Sequence, residues 1–127
     1  MIASPQAIQV ARDGLVRDAS VAWRYEQGTW VVEISSADFG TVEAREDDAF
    51  EALCRIRERL EPLGWRIGVA GAQADVWPSG MARDQGGGLS AYRMTAPGGV
   101  VDTFAPVDPS TVSALAEQKS EIDRLMN

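Results

Sequence analysis

The sequence contains no histidine, one cysteine (Cys54) and one lysine (Lys119). Without histidine the chain lacks the usual general base, the Ser-His and Cys-His nucleophile pairs and the commonest zinc ligand. A single cysteine forms neither an intramolecular disulfide nor a cysteine-based zinc site, and its place on a helical pattern favours a buried structural thiol. These absences predict that the chain has no Ser, Cys or zinc hydrolase activity, and we expect no catalytic residues, no metal site and no cofactor.

Positive charge is also scarce, since 12 basic residues face 19 acidic ones and the formal net charge is -7. This balance argues against nucleic-acid binding, which needs clustered Lys and Arg, and it would steer the protein toward a basic partner. A charge that merely keeps the protein soluble is the commoner explanation. No signal-peptide pattern and no stretch of transmembrane length is present, so we expect a cytoplasmic protein that does not contact a membrane.

At 127 residues, 45% of them hydrophobic, the chain has the size and composition of a single globular domain spanning residues 1–127. Its clearest local pattern is the alternation of apolar and polar residues over 21–26, 30–35 and 41–45, which is the period of half-buried strands. Gln27 and Gly28 supply a turn between the first two strands, so the sequence predicts an antiparallel meander. Residues 1–18 favour a short helix, because Ser4 and Pro5 suit a helix start.

Two longer helices have clear boundaries in the sequence. Asp48 and Glu51 have the spacing of a capping box before a helix that runs to Leu60, and its arginines suit a solvated helix face. Asp108 is the predicted N-cap of a C-terminal helix that extends to Met126. With further strands near 65–69, 90–95 and 100–104, the sequence predicts an α+β fold. We expect a mainly antiparallel sheet of five or six strands with these two helices packed on one face.

The stretch from Gly71 to Tyr92 has no clear period and is predicted to be one long loop, which in compact domains is usually functional or disordered. Its three glycines, Gly86 to Gly88, could direct backbone N–H groups toward an anion, with Arg83 or Arg93 as the charged partner. Neither a P-loop nor a GxGxxG dinucleotide turn is completed. The competing interpretation is a pair of tight turns with a purely structural role.

The tryptophans differ in their predicted roles. Trp23, Trp30 and Trp65 occupy inward positions of alternating strands and are assigned to the core. Trp77 lies in the predicted loop, where it either plugs the end of the sheet or forms a hot spot for a partner.

The polar candidates of the loop also have two interpretations each. Asp75 and Asp84 either form a carboxylate pair for acid–base work or Mg²⁺ binding, or each caps a turn or pairs with Arg83. Ser79 has no histidine to activate it, and a Ser-Lys dyad would require Lys119. The candidate binding residues are Asp75, Trp77, Ser79, Gly80, Met81, Arg83, Asp84, Gly87 and Tyr92.

The run DVWPSGMARDQGGGLSAY, Asp75 to Tyr92, resembles a loop motif of small bacterial proteins associated with immunity-type partners of polymorphic toxins. The resemblance covers only this run and the strand before it. It implies a protein-binding inhibitor without catalytic activity. The residues that it marks as a characteristic surface are Trp77, Pro78, Ser79, Gly80, Met81, Arg83 and Tyr92.

The predicted order of elements is also similar to that of type III secretion chaperones, which are small, acidic, usually dimeric proteins that bind an extended segment of a partner. Both resemblances imply a protein partner, and the apolar stripe of the C-terminal helix favours a homodimer. We therefore expect a protein-binding domain. The alternative is a domain that binds a small molecule, phosphate or a nucleotide through the 75–92 segment. A minor enzyme belongs to the same alternative.

Overall fold

The computed structural model describes residues 2–127 and contains two antiparallel sheets and three α-helices. The larger sheet has five strands in the order β4-β3-β2-β1-β5, and the smaller has three in the order β6-β7-β8. The strands are β1 Gln6–Arg12, β2 Leu15–Glu26, β3 Thr29–Ser36, β4 Gly40–Glu46, β5 Arg66–Ile67, β6 Val76–Trp77, β7 Ser90–Arg93 and β8 Gly99–Asp102. The helices are α1 Ala49–Leu60, α2 Gly80–Gly86 and α3 Leu115–Met126. The predicted α+β class with antiparallel strands is confirmed, and its strands are divided between two sheets.

Two-residue turns connect the first three strands. Gln27 and Gly28, which join β2 to β3, have φ angles of 52° and 80°, and both values suit the tight hairpin turns that favour the natural strand twist. The predicted meander of β2, β3 and β4 is confirmed. The helix predicted within residues 1–18 is wrong, because this segment forms β1 and the start of β2, joined at Asp13 and Gly14.

Helix α1 contributes buried side chains to two separate clusters, one on each of two sides. The side chain of Asp48 accepts a 2.8 Å hydrogen bond from the amide of Glu51, which confirms the predicted N-cap. One side of α1 packs on the five-stranded sheet, and its buried residues there are Ala49, Ala52, Leu53, Ile56 and Leu60. The other side contributes Phe50 and Cys54 to a second cluster with Val76, Ala91 and Leu115. Helix α1 therefore lies between the core of the large sheet and the cluster that contains the small sheet and α3.

Arg57 of α1 is fully buried, so its predicted place on a solvated helix face is wrong. Its guanidinium donates to Glu61 over 2.7 Å, to the carbonyl oxygen of Ser113 over 2.8 Å, and to the side-chain oxygen of Gln118. Gln118 in turn donates to the carbonyl oxygen of Val76 over 2.7 Å. A buried charge is stable only when it is paired and hydrogen-bonded in this way, and the network ties α3 to α1 and to the small sheet.

The C-terminal helix begins later than the sequence predicts. Asp108 does cap a turn, since it accepts from the amide of Ser110 over 2.9 Å, but that turn is a short 3₁₀ helix over Pro109–Thr111. The amide of Ser113 then donates to Ala72 over 3.0 Å, and α3 starts only at Leu115. None of the three α-helices in residues 2–127 has the length and apolar character needed to cross a membrane.

The core assignment of Trp65 is confirmed, because Trp65 is buried and meets Phe39 edge-on with ring centroids 5.1 Å apart. Trp23 and Trp30 are only half-buried, although both pack against the main core. Trp23 stacks on Phe104 at 4.7 Å.

Candidate binding surface

The sequence predicts that the segment 75–92 is one continuous loop. The structure instead has a strand, a short helix and a second strand there. Val76 and Trp77 form β6, and Ser79 caps α2 by accepting from the amide of Ala82 over 3.0 Å. Gly80 is the first residue of α2, and Gly87 ends it in the left-handed conformation with a φ of 65°. The segment therefore consists of regular elements held by their own hydrogen bonds.

Arg83 of α2 points toward the first turn of α1. Its Nη1 atom lies 3.2 Å from Oδ2 of Asp48 and 3.4 Å from Oε2 of Glu51. The guanidinium also lies over the rings of Phe50 and Trp77, at 5.2 and 5.6 Å from their centroids. Two carboxylates and two aromatic rings thus hold this charge, and Arg83 fastens α2 to α1.

The glycine run lets α2 approach α1 and the large sheet closely. A Cβ atom on Gly88 would lie 2.7 Å from Oδ1 of Asp48, and the carbonyl oxygen of Gly87 accepts from the amide of Ala49 over 2.7 Å. The amides of Gly87 and Gly88 both donate to the carbonyl oxygen of Ala82. These N–H groups are used within the fold, so the glycine run has a structural role in packing α2 against α1 and the large sheet.

Asp75 and Asp84 have separate environments. Asp75 accepts from Nη1 of Arg93 over 2.9 Å and from the hydroxyl of Thr95, so its ion-pair partner is Arg93 and not the predicted Arg83. Burial acts to raise the pKa of Asp75, but these hydrogen bonds outweigh it and hold that pKa below its ordinary value. Asp84 is exposed on α2 and forms no ion pair with any residue in 2–127.

The outer face of the small sheet carries a row of apolar side chains. In the register, Trp77 pairs with Tyr92 and Tyr92 pairs with Val100, so the three side chains lie side by side. Their neighbours Val76, Ala91 and Val101 belong to the buried side. We call Trp77, Tyr92 and Val100 the outer row.

Exposure distinguishes the members of the outer row. Val100 is 65% exposed and Tyr92 is 40% exposed. Trp77 is half-buried, because its ring meets the edge of Phe50 with centroids 5.1 Å apart. Met81, on the first turn of α2, is 68% exposed. Trp77 therefore anchors the small sheet to α1 as well as contributing to a surface. Val100 is not among the residues predicted from the sequence, although its alternation with Val101 indicates an outward position.

The two nucleophilic side chains considered from the sequence, Cys54 and Ser79, both have structural environments. Burial raises the pKa of the Cys54 thiol to about 11, so it is almost entirely protonated near neutral pH. The Ser79 hydroxyl is used as a helix cap. Within residues 2–127 no group of three or more Cys, Asp or Glu side chains is arranged to hold a metal ion. Next to these residues the surface presents a partly exposed apolar row beside charged and aromatic groups.

A scan against models of known protein families finds no match to this chain, and a search of curated proteins finds no significant match either.

Proposed function

We propose that this chain is a non-enzymatic protein-binding domain and that a protein partner docks on the outer row and the adjoining first turn of α2. The observation that carries the proposal is the in-register row formed by half-buried Trp77 and exposed Tyr92 and Val100 on a hydrogen-bonded sheet. Large apolar side chains that a rigid element holds in water are typical of protein interfaces, and aromatic residues dominate their binding energy.

The proposal extends to the class of partner. A net charge of -7 steers the chain toward a basic protein, and the resemblance of residues 75–92 implies an inhibitor of the immunity type. The chaperone-like alternative shares the protein partner but differs in element order, because the first element is β1 and not a helix. In either case we place the protein in the cytoplasm.

Anion or nucleotide binding ranks second as a function. It relies on the amides of Gly87 and Gly88 and on Arg83, and these groups already have partners within the fold. An anion would have to displace the contacts of Arg83 with Asp48 and Glu51. Protein binding requires no such rearrangement, which is the reason for placing it first.

The proposal is tested by comparing Val100→Asp with Val16→Asp. Both valines are exposed strand residues, but Val16 lies on β2 of the large sheet, 47% exposed and remote in the chain from the outer row. Affinity capture from native cells would use tagged wild type and both variants, and calorimetry would then measure binding of the purified partner. We expect Val100→Asp to weaken binding at least about tenfold and Val16→Asp to leave it unchanged.

Equal retention of the partner by Val100→Asp and wild type would refute the docking site. A captured nuclease or other toxic protein, whose toxicity in cells is relieved by wild type and not by Val100→Asp, would support the immunity-type function. Capture of unfolded or unsecreted substrates would favour the chaperone-like function instead.

A homodimer remains part of the proposal, but the helix predicted to form it is largely used within one chain. Leu115 and Ile122 of α3 are buried against the rest of the molecule, whereas Met126 is exposed. A second copy that docks on the outer row would compete with the protein partner for this face. Light scattering of wild type and Val100→Asp tests this, because a dimer through this face should dissociate in the variant and persist in Val16→Asp.

A further inference from the structure

A groove of about 530 Å³ lies between the C-terminal end of α2 and the turn that joins β2 to β3. It is separate from the outer row, since it contains none of Trp77, Tyr92 and Val100. Aromatic rings, carboxylates and glycine backbone share its wall. The lining residues that matter here are Tyr25, Trp30, Asp47, Asp84, Gly86 and Gly87.

The aromatic part of the wall is formed by Tyr25 and Trp30. They are paired across β2 and β3, and their ring centroids are 5.4 Å apart with the planes inclined by 60°. Gly87 packs against the indole of Trp30 and fixes that ring, whereas Tyr25 is 63% exposed. A large aromatic ring held open to solvent beside a groove offers a π surface to a ligand.

The acidic part of the wall is formed by Asp47 and Asp84. Both are exposed, and neither forms an ion pair or a side-chain hydrogen bond within residues 2–127. The one cation lining the groove is Arg83, whose charge is balanced by Asp48 and Glu51. The unpaired charges that line the groove are therefore the two carboxylates, an arrangement that disfavours phosphate and carboxylate ligands.

We propose that this groove binds an arginine side chain of the protein partner, with the guanidinium against the Tyr25–Trp30 wall and paired with Asp47 and Asp84. A planar guanidinium both stacks on aromatic rings and donates hydrogen bonds to carboxylates, a combination that lysine's compact ammonium matches less well. That the arginine belongs to a protein partner depends on the proposed function. Binding of a guanidinium in the groove does not depend on it.

The direct test is an NMR titration of the ¹⁵N-labelled full chain with N-acetyl-arginine methylamide. The matched control ligand is N-acetyl-citrulline methylamide, which has nearly the same shape and no charge. We expect the arginine probe to cause saturable shifts in the indole N–H of Trp30 and the amides of Gly28 and Gly86. The citrulline probe should cause none. A Trp30→Phe variant assigns the indole signal.

Variants separate the groove from general electrostatics. The double change Asp47→Asn with Asp84→Asn should weaken arginine binding at least about tenfold, because both carboxylate partners are lost. The control Glu117→Gln with Asp123→Asn removes the same charge from exposed positions of α3, where neither residue forms an ion pair within residues 2–127. Its affinity should equal that of wild type. Equal shifts with citrulline, or equal affinity in the two double variants, would overturn the proposal.

Failure of this inference is distinguishable from failure of the proposed function. Val100→Asp should retain arginine binding, since the outer row and the groove share no residue. Arginine binding without any protein partner would support the groove and overturn the proposed function. A partner that binds the Asn double variant as tightly as wild type would uphold the function and overturn the role of the groove in it.

Discussion

The backbone of Gly87 packs directly against the indole of Trp30, because a Cβ atom on Gly87 would lie only 2.7 Å from Nε1 of that ring. Gly87 also has a φ of 65°, a conformation that disfavours any residue with a side chain. Through this contact the C-terminal end of α2 is fixed to the hairpin of the large sheet. The position of Arg83, and with it the shape of the groove, depends on this close approach.

Gly87→Ala is therefore expected to destabilise the protein by about 2 to 4 kcal/mol, from backbone strain and from displacement of a large ring. Gly86→Ala is the matched control, because a Cβ atom at Gly86 meets no atom within 4 Å and its φ is not positive. That change should alter stability by less than about 0.5 kcal/mol. Urea denaturation of both variants measures the difference, and similar midpoints would contradict the packing role of Gly87.

The sequence correctly predicts those elements whose residue patterns lie within the element itself or directly beside it. The β2–β3 hairpin follows from strict alternation around Gln27–Gly28, and α1 follows from its Asp48 cap. The first strand was missed because Ile8, Ala11 and Leu15 also share a helical face. Ile8 and Val10 also alternate as in a strand, and Asp13 and Gly14 form a turn. These signals distinguish a strand from a helix only once the pairing of β1 with β2 is known.

The remaining errors arise from tertiary contacts that no local pattern contains. The start of α3 is displaced because Ser113 is hydrogen-bonded to Ala72 and to Arg57. The burial of Arg57 depends on Gln118, which is 61 positions away in the chain. Likewise, the candidate list contained Arg83 but not Asp48, because the ion pair forms between segments that are distant in sequence. Groups that meet through such contacts cannot be paired from periodicity alone.

Arg57→Met is expected to cost about 3 to 5 kcal/mol of stability, because it leaves Glu61 and Gln118 buried without their charged partner. Arg59→Met is the control on the same helix, since Arg59 is exposed and, among residues 2–127, donates only to the carbonyl oxygen of Glu43. The control should cost less than about 1 kcal/mol. If urea denaturation gave the two variants the same stability, the buried network would not be a main support of α3.

Cys54 is expected to resist alkylation in the folded protein. With a pKa of about 11, only about 0.1% of the thiol is ionised at pH 8, against about 10% for a thiol at the ordinary value of 9.0. The thiolate is the reacting form, so iodoacetamide should modify the native protein at least about a hundredfold more slowly than the urea-unfolded protein. Mass spectrometry over time measures both rates. Comparable rates at pH 8 would contradict the burial of this thiol.

Asp75 is expected to make stability depend on pH. Its pKa in the fold lies below the ordinary 3.8, so the folded state binds its proton less readily than the unfolded state does. The stabilisation is therefore fully present above the ordinary value and is lost as the pH falls through the lower folded pKa. Asp75→Asn should cost about 1 kcal/mol at pH 7, because Asp75 and Arg93 are partly screened by solvent, and progressively less in acid.

Urea denaturation of wild type and Asp75→Asn between about pH 7 and pH 3 measures this change. Asp123→Asn, on the exposed side of α3, is the control for general loss of negative charge, and its small effect should not decrease in the same way. A cost for Asp75→Asn that stays constant over this range would mean that the carboxylate charge contributes nothing to the contact with Arg93. The contact would then be held by the neutral hydrogen-bonding capacity that asparagine retains, and the link between Asp75 and β7 would not respond to pH.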